Sequence, residues 1–272
     1  MTNQLKGKVI LAGAGPGDAE LITVKLQQRL AEAEVIIVDR LVNPEIIDLY
    51  AKPDALVLMT GKKGYSEGSA SQEDINKLLV AHAQNGKIVL RLKGGDVAFF
   101  SNVLDELLSL SEAGISYEII PGISAASGAS AYAGIPLTAR GYAKGVQFVT
   151  FNPSSFHSRD KWKCWATTND TLVFYMAAGN INALTELLLR HSKRPSTPLA
   201  VIEQATTGFQ KVHITTLNDC SADFAGKTFS SPSLVIVGDV VKLHEKFNWY
   251  EAGKTGSVFN ELITVQQQST VC

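Results

Sequence analysis

Residues 9–40 read VILAGAGPGDAELITVKLQQRLAEAEVIIVDR, and this stretch decides the fold. Its first run, Val9 to Ala12, and its last, Val35 to Val38, are short, apolar and rich in β-branched residues, as strands buried on both faces are. Between them Ile22, Leu26 and Leu30 recur at helical spacing, so the order is strand, glycine loop, helix, strand. That order is a βαβ unit, which makes the sheet parallel.

The pattern continues outward on the C-terminal side. Ala55 to Met59, Ile88 to Leu92 and Tyr117 to Ile120 are further strand runs. Ile75, Leu78 and Leu79 mark a helix with Ser71 as its N-cap and Gly86 as its stop, and Asn43-Pro44 opens a shorter one, since proline suits a first turn. After Pro121-Gly122, the small residues Ser124 to Ala133 read as a closely packing helix. A second series follows, with strands at Val146 to Thr150, Thr171 to Phe174, Leu199 to Ile202, Lys211 to Thr215 and Leu234 to Val237, and a helix at Asn180 to His191. Its hairpin-like spacing points to a mixed sheet. The expectation is an α/β protein of two domains, residues 1–122 and 123–250, with a polar C-terminal extension over 251–272.

Composition narrows the function. The 272 residues carry 25 Lys and Arg against 26 Asp and Glu, a net charge of −1, which removes the basic footprint needed to grip nucleic acid or an anionic membrane. Hydrophobic residues at 45% and charged residues at 19% belong to a folded globular chain. Cys164, Cys220 and Cys272 are far apart and odd in number, which fits a reducing, cytoplasmic compartment. The first residues hold no apolar stretch of signal-peptide length. The five histidines, singly placed, give no metal-ligand spacing, so no metal is expected. Trp162, Cys164 and Trp165 fall in a polar stretch that reads as loop packing, and His191 suits a helix C-terminus.

The chemistry-bearing residues follow the strands. Gly13-Ala14-Gly15-Pro16-Gly17-Asp18 begins like a dinucleotide loop, with Asp39 placed as a ribose acid would be. Pro16 has no backbone N–H, however, and Asp18 and Glu20 bring negative charge where a pyrophosphate would sit, so a ligand without phosphates fits better. In a parallel sheet Asp39, Lys62 and Lys93-Gly94-Gly95-Asp96 share the carboxyl edge with that loop, where open α/β sheets bind ligands.

With these residues in view, the chain resembles the tetrapyrrole methylases. The resemblance is carried by VILAGAGPGD (9–18), VDRLV (38–42), Gly61-Lys62, QEDIN (72–76), VLRLKGGD (89–96), PGISAAS (121–127), YAGIPLT (132–138) and FYM (174–176), and is strongest to members that methylate uroporphyrinogen III. It implies an S-adenosylmethionine-dependent enzyme of two α/β domains, usually a homodimer, that methylates C2 and C7 of uroporphyrinogen III to give precorrin-2 for sirohaem or cobalamin. By position it implies a cofactor site at Pro16, Gly94, Gly95, Asp96, Phe99, Ser124, Ala125, Met176 and Ala205. Asp39 matches the family's proton acceptor and Lys62 its proton donor. The substrate carries eight carboxylates, so Arg40, Lys63, Gln72 and Arg140 are expected to hold it, with Arg91 as a further cleft cation.

The chain also departs from that family. Val97 to Glu106 replaces a Pro-Phe-x-Phe-Gly-Arg-Gly-Gly-Glu-Glu stretch, so an arginine and three glycines are gone. A histidine before Gln72 is missing, and Phe151-Asn152 stands for Gly-His. Cofactor motifs survive better than substrate-facing ones, which leaves two alternatives open: methylation of a different tetrapyrrole such as a later precorrin, or non-catalytic binding of tetrapyrrole or cofactor.

Overall fold

The computed structural model describes residues 7–60, 71–154 and 157–259. Strands β1 (Lys8–Gly13), β2 (Val35–Asp39), β3 (Leu56–Thr60), β4 (Ile88–Lys93) and β5 (Ser116–Ile120) form a wholly parallel sheet in the order β3-β2-β4-β1-β5. The C-terminal ends of β2, β4 and β1 therefore lie side by side. Strand periodicity sorts the core into two layers. Ile10, Ile36 and Leu90 pack under helices α1 (Val24–Glu32) and α2 (Glu45–Tyr50), while Val9, Leu11, Val35 and Val89 pack under α3 (Gln72–Gln84) and α4 (Val103–Glu112).

Local chemistry sets the helix ends. Ser71 and Asp74 form a reciprocal capping box on α3, and Gly86 turns the chain at φ +79° beyond its last residue. The Asn43 side chain accepts from the Glu45 N–H ahead of α2. Helix α5 (Ala125–Tyr132), capped by Ser124, uses small residues to sit close on the next sheet: Ala126, Ala129 and Ala133 pack with Val173, Ala200, Ile202 and Ile236.

That second sheet holds β6 (Val146–Thr150), β7 (Thr171–Tyr175), β8 (Pro198–Glu203), β9 (Lys211–Thr216) and β10 (Ser233–Val237) in the order β6-β7-β10-β8-β9. The β6–β7 pair is parallel and the other pairs are antiparallel, so the sheet is mixed as its spacing suggests. Its other face is covered by α6 (Arg159–Thr167), α7 (Ile181–Arg190) and α8 (Cys220–Asp223). A four-residue helix, α9 (His244–Phe247), follows β10.

Helix α6 corrects the expectation of a loop around Trp162. Its charged residues face outward while Trp162 and Trp165, three apart on one face, are buried with Phe151 and Phe174; Trp165 is 1% exposed. His191, just past α7, stacks its ring on Trp162, and its Nδ1 lies 2.9 Å from the Leu187 carbonyl. The first residues of the expected C-terminal extension lie against the connection between β8 and β9. Lys254 N–H donates to Gly208 O at 2.9 Å, Gln204 Nε2 donates to Gly256 O at 3.1 Å, and Phe259 is buried.

Candidate active site

Three loops meet where glycine alone fits. A Cβ on Gly13 would lie 2.5 Å from Gly95 O, and one on Gly122 would lie 2.3 Å from the same atom. Gly15 and Gly95 exchange backbone hydrogen bonds of 3.1 and 2.8 Å. The first loop leads into a single 3-10 turn at Ala19–Leu21, and α1 starts only at Val24. The loop therefore does not run directly into a helix N-terminus, as a pyrophosphate-binding loop of this kind does.

Asp18 and Asp96 brace this meeting point. The Asp18 N–H donates to Thr206 Oγ1 at 3.0 Å, and its Oδ2 accepts from the Tyr132 hydroxyl at 2.8 Å. Burial and the Asp18 charge push the Tyr132 phenol up to about 12, so it is a donor at any physiological pH. Asp96 accepts from Ala98 N–H through Oδ1 and from Gly122 N–H through Oδ2, both at 2.7 Å.

Beside the joint lies a cleft of about 590 Å³, within the usual range of about 300–1,000 Å³ for small-molecule sites. The first sheet contributes Pro16, Asp39, Arg40, Lys93, Gly94, Gly95 and Asp96, followed by Phe99 to Asn102. From the second half come Ala125, Tyr175, Met176, Ile202, Ala205, Phe229 and Ser231 to Leu234. Burial raises the Tyr175 phenol above its ordinary value, and its oxygen accepts from the Ala126 N–H. Phe100, Asn102 and Met176 in the lining, with Gln204 and Thr206 on either side of Ala205, all hold positive φ. For residues other than glycine that backbone is strained, and such strain gathers at functional sites.

The structure thus brings Asp39, Arg40, Pro16, Gly94, Gly95, Asp96, Phe99, Ala125, Met176 and Ala205 into one cleft. Ser124 caps α5 one residue outside the lining. Lys62 and Lys63 fall outside the described residues. Gln72 and Arg140 stand elsewhere: Gln72 Nε2 donates to Asn76 Oδ1 within α3, and Asn76 ties that helix to Ser109 on α4, while Arg140 is an exposed residue of the Ala139–Ala143 turn. Arg91 is not a cleft cation at all. It is a buried residue of β4 itself and pairs with Glu106 on α4 at 3.0 Å.

Several lining residues carried no signal in the sequence. Tyr175 stands inside a quoted motif but drew no role, and Phe229 to Leu234 has neither periodicity nor charge to distinguish it. Among the described residues no three His, Cys, Asp or Glu side chains gather as a metal site would need, and no helix is long and apolar enough to cross a membrane.

The arrangement opposes a carboxylate and cations on one side to an apolar wall on the other. The profile of the Tetrapyrrole (Corrin/Porphyrin) Methylases matches residues 8–220. The chain is 44% identical over 251 residues to the siroheme synthase of Pseudomonas putida strain W619, covering 92% of this chain and 54% of that protein. It spans about half the length of the curated relatives it matches. The crystal structure of the uroporphyrin-III-C-methyltransferase from Thermus thermophilus is similar, with TM-score 0.73 and 33% identity over 90% of this chain and 98% of that one. A structure of that enzyme complexed with S-adenyl homocysteine is likewise similar, with TM-score 0.72 and 32% identity over 87% and 94% of the two chains.

Proposed function

We propose, from the premise that this chain belongs to the tetrapyrrole methylase family, that it transfers methyl groups from S-adenosylmethionine to C2 and C7 of uroporphyrinogen III, giving precorrin-2. The observation that carries this reading is the single cleft in which Asp39 and Gly94-Gly95-Asp96 face Met176 and Ala205. The residues present fit the methyl donor. Met176, Ile202, Ala205 and Pro232 offer an apolar wall to an adenosyl group, and the glycines leave room for a ligand against the backbone.

When bound, S-adenosylmethionine supplies a methyl group on a cationic sulfur. The chain's residues do the rest. Orientation in a fixed cleft replaces a bimolecular encounter, and the apolar wall withholds water from a reaction that disperses charge. Arg40 N–H donates to Asp39 Oδ1 at 2.8 Å and so fixes the carboxylate. Asp39 accepts the proton that the ring sheds on gaining a methyl, which restores the ring to neutrality. Lys62, following β3, is the matching proton donor.

The same reading places residues 1–122 and 123–250 in two domains, with 251–272 as an extension, and puts the protein in the cytoplasm on the route to sirohaem or cobalamin. Exposed Leu56, Val57 and Met59 on edge strand β3 and Leu104 and Leu108 on α4 support a homodimer, which light scattering after gel filtration checks. The activity itself is tested by mixing the protein anaerobically with enzymatically generated uroporphyrinogen III and methyl donor. A dimethylated, coloured product after oxidation is expected, and porphyrin recovered unchanged overturns the reading.

A further inference from the structure

Strand β4 is the central strand of a parallel sheet, and such strands are normally apolar throughout. Here Arg91 and Lys93, two apart and so on one face, are both buried, with side chains 4% and 5% exposed. A single carboxylate from α4 serves both: Glu106 Oε1 accepts from Arg91 Nε at 3.0 Å, and Oε2 accepts from Lys93 Nζ at 2.9 Å. Arg91 is further occupied, since Nη1 donates to Ile37 O at 3.3 Å and to Thr60 Oγ1 at 3.2 Å.

Lys93 differs from its neighbour. An ammonium carries three donors, yet among the described residues Glu106 is its one hydrogen-bond partner. It lines the cleft beside Asp39, whose charge attracts it without a hydrogen bond. Burial pushes its pKa down and Glu106 pulls it back up. Stability does not explain the trio, because apolar side chains of similar volume hold a core at least as well as buried ion pairs do. An ammonium with donors to spare among the described residues, kept beside the cleft by a carboxylate it shares with Arg91, can anchor an anion.

We propose that Lys93, held by Glu106, binds a carboxylate of the tetrapyrrole and so is a specificity-determining residue of the substrate side of the cleft. The proposal rests on the function assigned above. A carboxylate is the acceptor that matches an ammonium in charge. The substrate is the source argued for because Lys93 lines the cleft with Asp39 and Arg40 and the tetrapyrrole offers eight carboxylates; the donor, expected at the neighbouring Gly94 to Asp96, has one carboxylate of its own, which the test separates.

The test compares the native protein, Lys93→Met and Lys93→Arg by calorimetry with four stable ligands: uroporphyrin III, coproporphyrin III with half the carboxylates, S-adenosylhomocysteine, and methylthioadenosine, which lacks a carboxylate. Lys93→Met is expected to weaken uroporphyrin III at least tenfold and coproporphyrin III less, while both adenosyl ligands stay within twofold; Lys93→Arg restores part of the loss. Uroporphyrin III bound equally by Lys93→Met overturns the anchor, and so does a selective loss of S-adenosylhomocysteine against methylthioadenosine, which would assign Lys93 to the donor. Lys93→Met leaves the buried Arg91–Glu106 pair in place, and Lys93→Gln, which keeps a donor for Glu106 without the charge, is measured beside it and is expected to show the same selective loss with a near-native melting temperature. Native protein that binds none of the four overturns the assigned function and the anchor together, whereas native binding with no loss in either variant overturns the anchor alone.

Discussion

On one side of the cleft stand Asp39, Arg40, Lys93 and Asp96, all from the ends of β2 and β4; on the other stand Met176, Ile202, Ala205 and Pro232, from the second sheet. The first set is charged and braced by hydrogen bonds. The second is apolar, and its backbone is strained at Met176, Gln204 and Thr206. The proposed reaction calls for both settings, an apolar surface beside the donor and a fixed base beside the acceptor. Building them on separate sheets lets each keep its local chemistry: Asp39 keeps the Arg40 N–H at 2.8 Å, and the Met176, Ile202, Ala205 and Pro232 set holds no charged side chain.

Four substitutions break or sharpen that contrast, and the largest effect belongs to the charged side. Asp39→Asn is expected to lower turnover by about 10²- to 10⁴-fold while S-adenosylhomocysteine affinity stays within a few-fold by calorimetry; full activity would remove Asp39 as the base. Next comes the joint between the sides. Gly122→Ala drives a Cβ against the Gly95 carbonyl, and with backbone on both faces unable to yield, a loss of about 1–3 kcal/mol is expected, read from chemical denaturation.

On the apolar side, Met176→Lys puts a charge against the expected adenosyl wall at a side chain already 65% exposed. Folding should be untouched and donor affinity about tenfold weaker, or about 1.4 kcal/mol. The smallest effect tests whether every charge on the first sheet is functional. Glu118 on β5 is gripped by Lys25, Lys8 and Arg29, which hold its carboxyl down at about 2 against an ordinary 4.5. Its contribution is therefore present above pH 4.5 and is lost as the pH falls towards 2. Glu118→Gln should be less stable than the native protein at pH 6, the gap should close by acid titration towards pH 2, and activity should not change.

The ten strands were legible because each is a short run rich in apolar or β-branched residues between turn residues; burial on both faces leaves β1, β2 and β8 little polar admixture, whereas β3, β5 and β9 are partly exposed. The crevice was legible for the same reason, since parallel strands send their following loops to one edge. Arg91 was misread because a cation between apolar residues is ordinarily at a surface; its burial depends on Glu106, fifteen positions later and on another element, which no local pattern shows. Helix α6 hid behind its charges, although Trp162, Trp165 and Ala166 at offsets of three and four held the helical period. Gln72 and Arg140 take their expected substrate roles from the resemblance alone, and neither lines the cleft. The wall from Phe229 to Leu234 had nothing to announce it, because its place comes from the pairing of β10 with β8.

Asp96 changes how genetics at this site should be interpreted. Both of its carboxylate oxygens are taken by backbone N–H groups, one in its own loop and one at Gly122. It is a rivet between two chain segments that are far apart in sequence. Loss of activity in a variant at residue 96 can therefore come from parting of the segments, and is not by itself a sign that a ligand contact has been lost. Suppressors of such a variant should map to the Gly13, Gly95 and Gly122 seam rather than to the surfaces that face solvent or substrate.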